Sequence, residues 1–415
     1  VRSRLGLETG EPLNVDKLQE QLQLLQLDPL IGSITAELNA GPTTGTSLLT
    51  VEYEEAPTFD AVVNLNNGRS PSVGSFQRQL TLGQANLLGF GDSVSVGYAN
   101  SDGSDTLNAS YTIPLNAADG TLGFSYSKSW NDVIEEPFDD VDNDGSGPDI
   151  ESTSQTYEIT LRQPIIRSIQ NRTFQEFAIG LTTSLRESES FLLDEPFPLS
   201  PGAAADGETK VFALRFFQDW TRQDAQQVIA LRSQFSFGLN GLGSTINDSI
   251  PGVEPIPDSR FFSWRGQAQW VRLLGPETLL VLRGNAQLAD QALLSSEQFG
   301  YGVYGSVRGY RQDQLLTDNG LFGSAEVRFP IMRVPEWNAT LKLAPFFDIG
   351  TAWESTGLDN PDPNTLASLG LGLQWEQGND LTARLDFGIP LVSVESAENT
   401  WQENGLYFSL VYNPF

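Results

Sequence analysis

From Phe59 to the end of the chain, apolar residues recur at every second position in one segment after another of about ten residues. The clearest series are Leu107/Ala109/Tyr111/Ile113, Phe177/Ile179/Leu181, Phe212/Leu214/Phe216 and Leu369/Leu371/Leu373/Trp375. The intervening positions are polar, as in Arg265/Gln267/Gln269, Arg283/Asn285/Gln287 and Glu326/Arg328. A soluble sandwich also alternates, but its strands are usually shorter. Segments of about ten residues suit strands that cross a bilayer at a tilt, with one face to lipid and the other to a polar lumen.

Sixteen such strands are predicted, near 59–66, 76–83, 91–100, 106–114, 120–128, 153–164, 173–188, 208–219, 225–237, 260–272, 277–288, 321–330, 338–349, 366–377, 381–389 and 405–415. Short gaps such as 220–224, 273–276 and 378–380 alternate with long ones at 129–152, 189–207, 238–259 and 289–320. Bacterial outer-membrane barrels pair short periplasmic turns with long outer loops in this way. An even count places both barrel ends on the short-turn side. The fold class is therefore all-β, a sixteen-stranded antiparallel transmembrane barrel over 57–415, behind a partial α+β unit at 1–56.

Composition agrees. A mean hydropathy of -0.23 suits a barrel whose alternate residues are polar. No run of 18 apolar residues is present, which excludes a transmembrane helix. A net charge of -29 argues against nucleic acid as a partner. With no cysteine there is no disulfide or thiolate metal site. With no histidine there is no Ser-His-Asp chemistry and no imidazole ligand, so an enzyme is not expected, and carboxylate chemistry is what such a barrel would have left.

In the first 56 residues Asn14 is placed to cap a helix in which Leu18, Leu22 and Leu25 share a face, stopped by Asp28-Pro29. Two strand-like runs follow, at 34–38 and 47–54, joined across Gly41-Pro42 and Gly45. One helix and one hairpin bury too little to stand alone, so the unit reads as incomplete.

The candidate site joins a long loop to a strand. Loop 289–320 carries Val307-Arg308-Gly309-Tyr310, and strand 338–349 is expected to close on Phe346-Phe347-Asp348-Ile349-Gly350. Ala339, Leu341, Leu343, Phe347 and Ile349 form the lipid face by parity, which turns Phe346 and Asp348 into the lumen. Glu326 and Arg328 of the preceding strand face inward by the same rule. A carboxylate confined there needs a partner, and a planar guanidinium offers two hydrogen bonds. Arg308 supplies it if the loop folds inward. Gly309 then permits the sharp turn at the tip, and Tyr310 packs on the wall.

These residues carry a resemblance. The run from Glu297-Gln298-Phe299 through Ser306-Val307-Arg308-Gly309-Tyr310 to Ser324-Ala325-Glu326-Val327-Arg328-Phe329-Pro330, followed by Phe346 to Gly350, resembles the TpsB transporters of two-partner secretion. These are the haemolysin-activator and filamentous-haemagglutinin-transporter type within the POTRA-barrel outer-membrane superfamily. The likeness covers essentially the whole chain. It implies that residues 1–56 are the end of a POTRA (polypeptide-transport-associated) domain in the periplasm. It also implies that Arg308 sits at the tip of loop 6, folded into the lumen against Asp348. The implied activity is secretion of an unfolded exoprotein that the POTRA hairpin recognises, without a nucleotide. Other implied partners are outer-membrane lipid and the barrel-assembly machinery, which would read a C-terminal signal in Phe408, Leu410, Tyr412 and Phe415. Here Asn413-Pro414 interrupts that series and puts Phe415 on the opposite parity. The plug helix and first POTRA domain of the family are not among these residues. A barrel insertase or general import pore of the same superfamily would share Arg308 and Asp348. A diffusive porin would have no use for the pair.

Loop 129–152 holds a second pattern. Asp140, Asp142, Asp144 and Glu151, with Gly145 at the sixth position, match the spacing of an EF-hand calcium loop. Neither flank is helical and Gly147 stands at the usual apolar position. With nine acids and no base from Asn131 to Glu151, a solvated acidic loop is the simpler reading, and a weak extracellular calcium site the sharper one. No other cofactor is expected.

Overall fold

The computed structural model describes residues 1–6, 12–135, 149–248, 256–301, 307–312, 314–355, 359–394 and 400–414. Sixteen antiparallel strands close into one barrel. They are Phe59–Asn66, Gln77–Ala85, Ser93–Ser101, Ser104–Pro114, Thr121–Asp132, Ile150–Gln170, Thr173–Leu192, Thr209–Gln223, Gln227–Leu239, Phe262–Gly275, Thr278–Ala289, Asn319–Val334, Ala339–Trp353, Thr365–Gln377, Leu381–Pro390 and Leu406–Tyr412. Each strand pairs with its sequence neighbour, and the last returns to the first through Ser409↔Asn66 to Tyr412↔Val63. Closure leaves no open sheet edge, so the backbone of the lipid-embedded wall is satisfied within the wall.

Several strands outrun the sequence reading. The pair Ile150–Gln170 and Thr173–Leu192 has 21 and 20 residues, about twice what a bilayer needs. The strand holding Phe346 and Asp348 does not end at Ile349-Gly350 but runs on to Trp353. Gly350 pairs with Phe322 and Leu366 there and is mid-strand, not a turn. An FxDxG run reads as a strand end because glycine is a turn residue. In this strand it continues the lumen face, where Phe346, Asp348, Gly350 and Ala352 are all buried beneath the inserted loop.

Alternation sets the two faces. Leu369, Leu371 and Leu373 are exposed, as are Leu385, Phe387 and Ile389, while Ser368 and Asp386, on the opposite parity, are buried. The exposed series faces lipid. Trp337 and Trp375 meet edge to face at a short turn, an interfacial position that suits amphipathic rings.

The N-terminal unit has a short helix Arg2–Leu5 besides the helix Val15–Leu25, and a hairpin of Ile31–Ala40 with Ser47–Glu55. Asn14 caps the longer helix by accepting from the Lys17 amide at 3.1 Å. Leu5, Leu18, Leu25 and Ile34 form its small core. It sits on the short-turn side: Arg4 pairs with Asp28 and Asp119 at 2.5 Å each, Arg167 also binds Asp119, and the Ile169 amide donates to Glu20 at 2.9 Å.

The assignment of faces has a direct test. Leu371→Arg should destabilise the barrel by about 2–4 kcal/mol in reversible unfolding from lipid vesicles, whereas Ser110→Arg on the lumen face should change stability by less than about 1 kcal/mol.

Candidate functional site inside the barrel

Loop 289–320 leaves the strand Thr278–Ala289, passes a tight turn at Ser295–Glu297, pairs Phe299–Tyr301 with Leu315–Thr317, and enters the lumen. Arg308 lies there almost wholly buried. Its Nε donates to Asp348 Oδ2 at 2.7 Å and its Nη2 to Asp348 Oδ1 at 3.0 Å, the two-bond fork that a guanidinium makes with a carboxylate. Its backbone amide donates to the same carboxylate at 3.2 Å. Nη1 donates to Glu326 Oε2 at 2.7 Å and stands 3.6 Å from Asp386 Oδ1. The guanidinium also lies over the Phe346 ring, 3.4 Å from its centroid, where cation and π-face attract.

The acids are themselves shared. Glu326 accepts from Arg384 at 2.7 and 3.1 Å and from Arg328 at 2.5 Å, and Arg384 forks onto Asp386 at 2.7 and 2.8 Å. Arg308, Arg328 and Arg384 thus interleave with Glu326, Asp348 and Asp386, and Arg283 stands 3.9 Å from Glu326, so every buried carboxylate of the cluster has a guanidinium partner. Parity in the sequence pointed Glu326, Arg328, Phe346 and Asp348 inward. It did not find Arg384 and Asp386, although the alternation of strand 381–389 held that signal.

The tip is fitted by two glycines. Gly309 has φ +105°, a conformation that favours glycine. A Cβ on Gly388 would lie 2.8 Å from the Gly309 nitrogen and 2.9 Å from the Arg308 carbonyl carbon, so backbone meets backbone. The Gly309 amide donates to the Tyr407 hydroxyl at 3.1 Å, and that hydroxyl donates to the Tyr310 carbonyl. Tyr310 donates from its own hydroxyl to Ala367 O at 2.8 Å and accepts from the Val392 amide at 3.2 Å. Val307 and Tyr310 pack with Phe299, Phe322, Ala352 and Leu366. Beyond the tip, Arg311 forks onto Glu135 at 2.7 Å for both bonds.

At the loop's return, Asp318 is fully buried and accepts from the amides of Leu293 at 2.8 Å and Ser355 at 3.1 Å. Its own amide donates to Glu354 Oε2 at 3.2 Å. Burial, and then the hydrogen bond and charge of the facing Asp318 carboxylate, push the Glu354 carboxyl up to about 7.

Of the calcium pattern, Asp140, Asp142 and Asp144 lie outside the described residues. Glu151 stands with Asp149 and Asp194, their carboxylate oxygens within 4.8 Å of one another. Phe415 also lies outside the described residues. Phe408, Leu410 and Tyr412 share the outward face of the last strand, opposite Tyr407, and the Phe408 ring lies 5.8 Å from those of Phe76, tilted, and Trp401, edge to face.

A closed barrel of sixteen strands with one loop anchored in its lumen by an arginine defines an outer-membrane β-barrel of the inserted-loop class. The chain belongs to the haemolysin secretion/activation protein family ShlB/FhaC/HecB, whose model matches residues 45–375, and is of the TpsB type. It is 22% identical over 343 residues to the outer membrane transporter CdiB of Dickeya dadantii (strain 3937), covering 81% of this chain and 57% of the relative. It is 23% identical over 395 residues to the Escherichia coli CdiB, covering 93% of this chain and 62% of the relative. The chain thus spans about three fifths of the length of these curated relatives. Its fold matches the structure of CdiB from Escherichia coli with a TM-score of 0.77 at 20% identity, covering 97% of this chain and 71% of that one. For CdiB from Acinetobacter baumannii the values are 0.71, 19%, 99% and 71%. For BamA from Haemophilus ducreyi lacking POTRA domains 1–3 they are 0.60, 14%, 97% and 79%.

Two outcomes follow from the geometry. Gly388→Ala forces the loop tip away; overpacking of about 1–3 kcal/mol should raise protease cleavage of loop 289–320 from outside the cell at least about fivefold. The pH effect runs through Glu354. A carboxyl with a raised folded pKa contributes stability that is complete below its unfolded value of 4.5 and lost as pH rises through about 7. Hydrogen exchange at the Asp318 amide should therefore exceed its intrinsic acceleration between pH 6 and pH 8. Glu354→Gln should abolish the excess.

Proposed function

We propose that this chain is the channel-forming part of a two-partner secretion transporter, which passes an unfolded exoprotein from the periplasm through the barrel lumen. The observation that carries this reading is the Arg308 anchor. A guanidinium buried against Asp348 and Glu326 holds a loop inside the pore, and a freely diffusive channel has no need of such a loop. Family membership and the likeness to outer membrane transporters named CdiB support it. In this reading residues 1–56 are the end of a POTRA domain on the periplasmic side. Ile31–Ala40 and Ser47–Glu55 pair only with each other among the described residues, so each keeps an outer edge to which an extended exoprotein segment can add as a strand. Phe408, Leu410 and Tyr412 present the outward face that the barrel-assembly machinery reads. The acidic loop around Glu151 is proposed as no more than a weak calcium site.

One feature favours a second reading, an insertase of the same superfamily. First and last strands share only four paired positions, Ser409↔Asn66 to Tyr412↔Val63. The two readings differ in cargo, an exoprotein released outside or a barrel protein left in the membrane.

The test is charge reversal. Asp348→Arg sets two guanidiniums face to face where a buried pair stood, a loss of about 3–5 kcal/mol of loop anchoring. Secretion of the cognate exoprotein should fall to background while heat-modifiable mobility on semi-native gels shows an assembled barrel. Normal secretion by that variant removes the anchor from the mechanism.

A further inference from the structure

The arm of loop 289–320 that descends toward Arg308 carries a buried acid, Glu297, which the Arg308 cluster does not use. Its carboxylate accepts both bonds of an Arg215 fork, at 2.8 and 3.0 Å, and lies 3.7 Å from Arg186. Arg215 is held ready for it: Nε donates to Ser184 Oγ at 3.2 Å and Nη1 to Ser236 Oγ at 3.1 Å, from the strands on either side. The Glu297 carbonyl accepts from Gln287 Nε2 at 2.9 Å, and Gln287 Oε1 in turn accepts from Arg265 Nε at 2.9 Å. Arg186 also donates to the Ser296 carbonyl. Beside these contacts Leu293 and Leu294 of the same arm are buried against Val211 and Ala213, on the strand that carries Arg215. The arm is therefore seated on a prepared surface by charge, amide and apolar contacts at once.

Position gives this seat its meaning. Arg215 is on Thr209–Gln223, whereas the tip rests on Gly388 of Leu381–Pro390, seven places round the ring of strands. In a ring of sixteen that is nearly the far wall. The signs are also opposite: the loop gives an acid to arginines on one wall and an arginine to acids on the other. Under the arm lies a cavity of about 440 Å³ bordered by Arg162, Arg186, Arg215, Arg232 and Arg265. The acids facing it are Glu158, Asp219 and Glu297.

We propose that Glu297 is a second anchor of the inserted loop, a positioning residue that with Arg308 fixes the loop as a crossbar over the lumen, and that its release opens an arginine-lined, anion-preferring passage. The proposal deepens the transporter reading and rests on it for the loop's role in gating. Its measurement needs no exoprotein, so the two can fail separately.

The experiment is planar-bilayer recording of the purified full chain in a potassium chloride gradient, with heat-modifiable mobility as the check on assembly. Glu297→Gln, nearly isosteric, should raise mean conductance several-fold and shift the reversal potential toward chloride, because Arg215 and Arg186 then face the passage without their acid. Arg215→Gln frees the same arm from the wall side and should raise conductance too, which keeps the idea testable if the first variant assembles poorly. The exchange Arg215→Glu with Glu297→Arg restores the pair in reverse and should return conductance toward that of the native chain, a rescue that a merely structural role would not produce. Native conductance in both single variants, or an exchange variant as leaky as the singles, overturns the proposal.

Discussion

A guanidinium in the lumen of a closed barrel has few ways to keep its charge. Away from bulk water an isolated ion loses several kcal/mol of hydration, and only matched carboxylates and hydrogen bonds return it. Arg308 meets that condition through Asp348 and Glu326, each of which is held by further groups. The loop cannot leave without stripping Asp348 of its guanidinium fork and Glu326 of one of its partners on the wall it abandons. That constraint, more than the apolar contacts of Val307 and Tyr310, explains why a loop of this length lies inside the barrel rather than in solvent.

The lumen wall is divided accordingly. Strands from Phe59 to Asp132 present Gln79, Thr81, Ser95, Asn108, Ser110 and Ser125 to a cavity of about 480 Å³ that Glu158 and Arg186 also border. The charged side chains that pair with Glu297 and Arg308 of the loop come instead from Thr173–Leu192, Thr209–Gln223, Asn319–Val334, Ala339–Trp353 and Leu381–Pro390.

Much of this was legible before any coordinate. Period-two alternation gave sixteen strands because lipid on one side and water on the other leave no other pattern for a spanning strand. The direction of Asp348 followed from Leu341, Leu343, Phe347 and Ile349, since parity admits no half measures. The end of that strand was misread at Gly350, where glycine serves a close-packed lumen face instead of a turn. Arg384, Asp386 and Gly388 went unseen for a different reason. Alternation turns all three inward, but Asp386 and Gly388 meet Arg308 and Gly309, and Arg384 meets Glu326, only because closure folds strands far apart in sequence around one loop. Glu297 was visible in its motif, but its partner Arg215 lies 82 positions away.

The anchor also reaches the place where the barrel is closed most thinly. First and last strands share four paired positions, and side chains continue the seam where backbone pairing stops. Asn67 Nδ2 donates to Leu406 O at 2.8 Å, the Phe408 amide donates to Asn67 Oδ1 at 2.7 Å, and Gln402 Nε2 donates to Asn67 O at 2.5 Å. Gln402 and Tyr407 are the residues that also hold the loop, the first accepting from the Gln312 amide at 2.7 Å and the second from Gly309 at 3.1 Å. The same two side chains thus serve the seam and the loop tip. Displacing the tip withdraws hydrogen bonds from the last strand at the height where that strand is least well joined to the first, so the state of the pore and the integrity of the seam are set by one group of contacts.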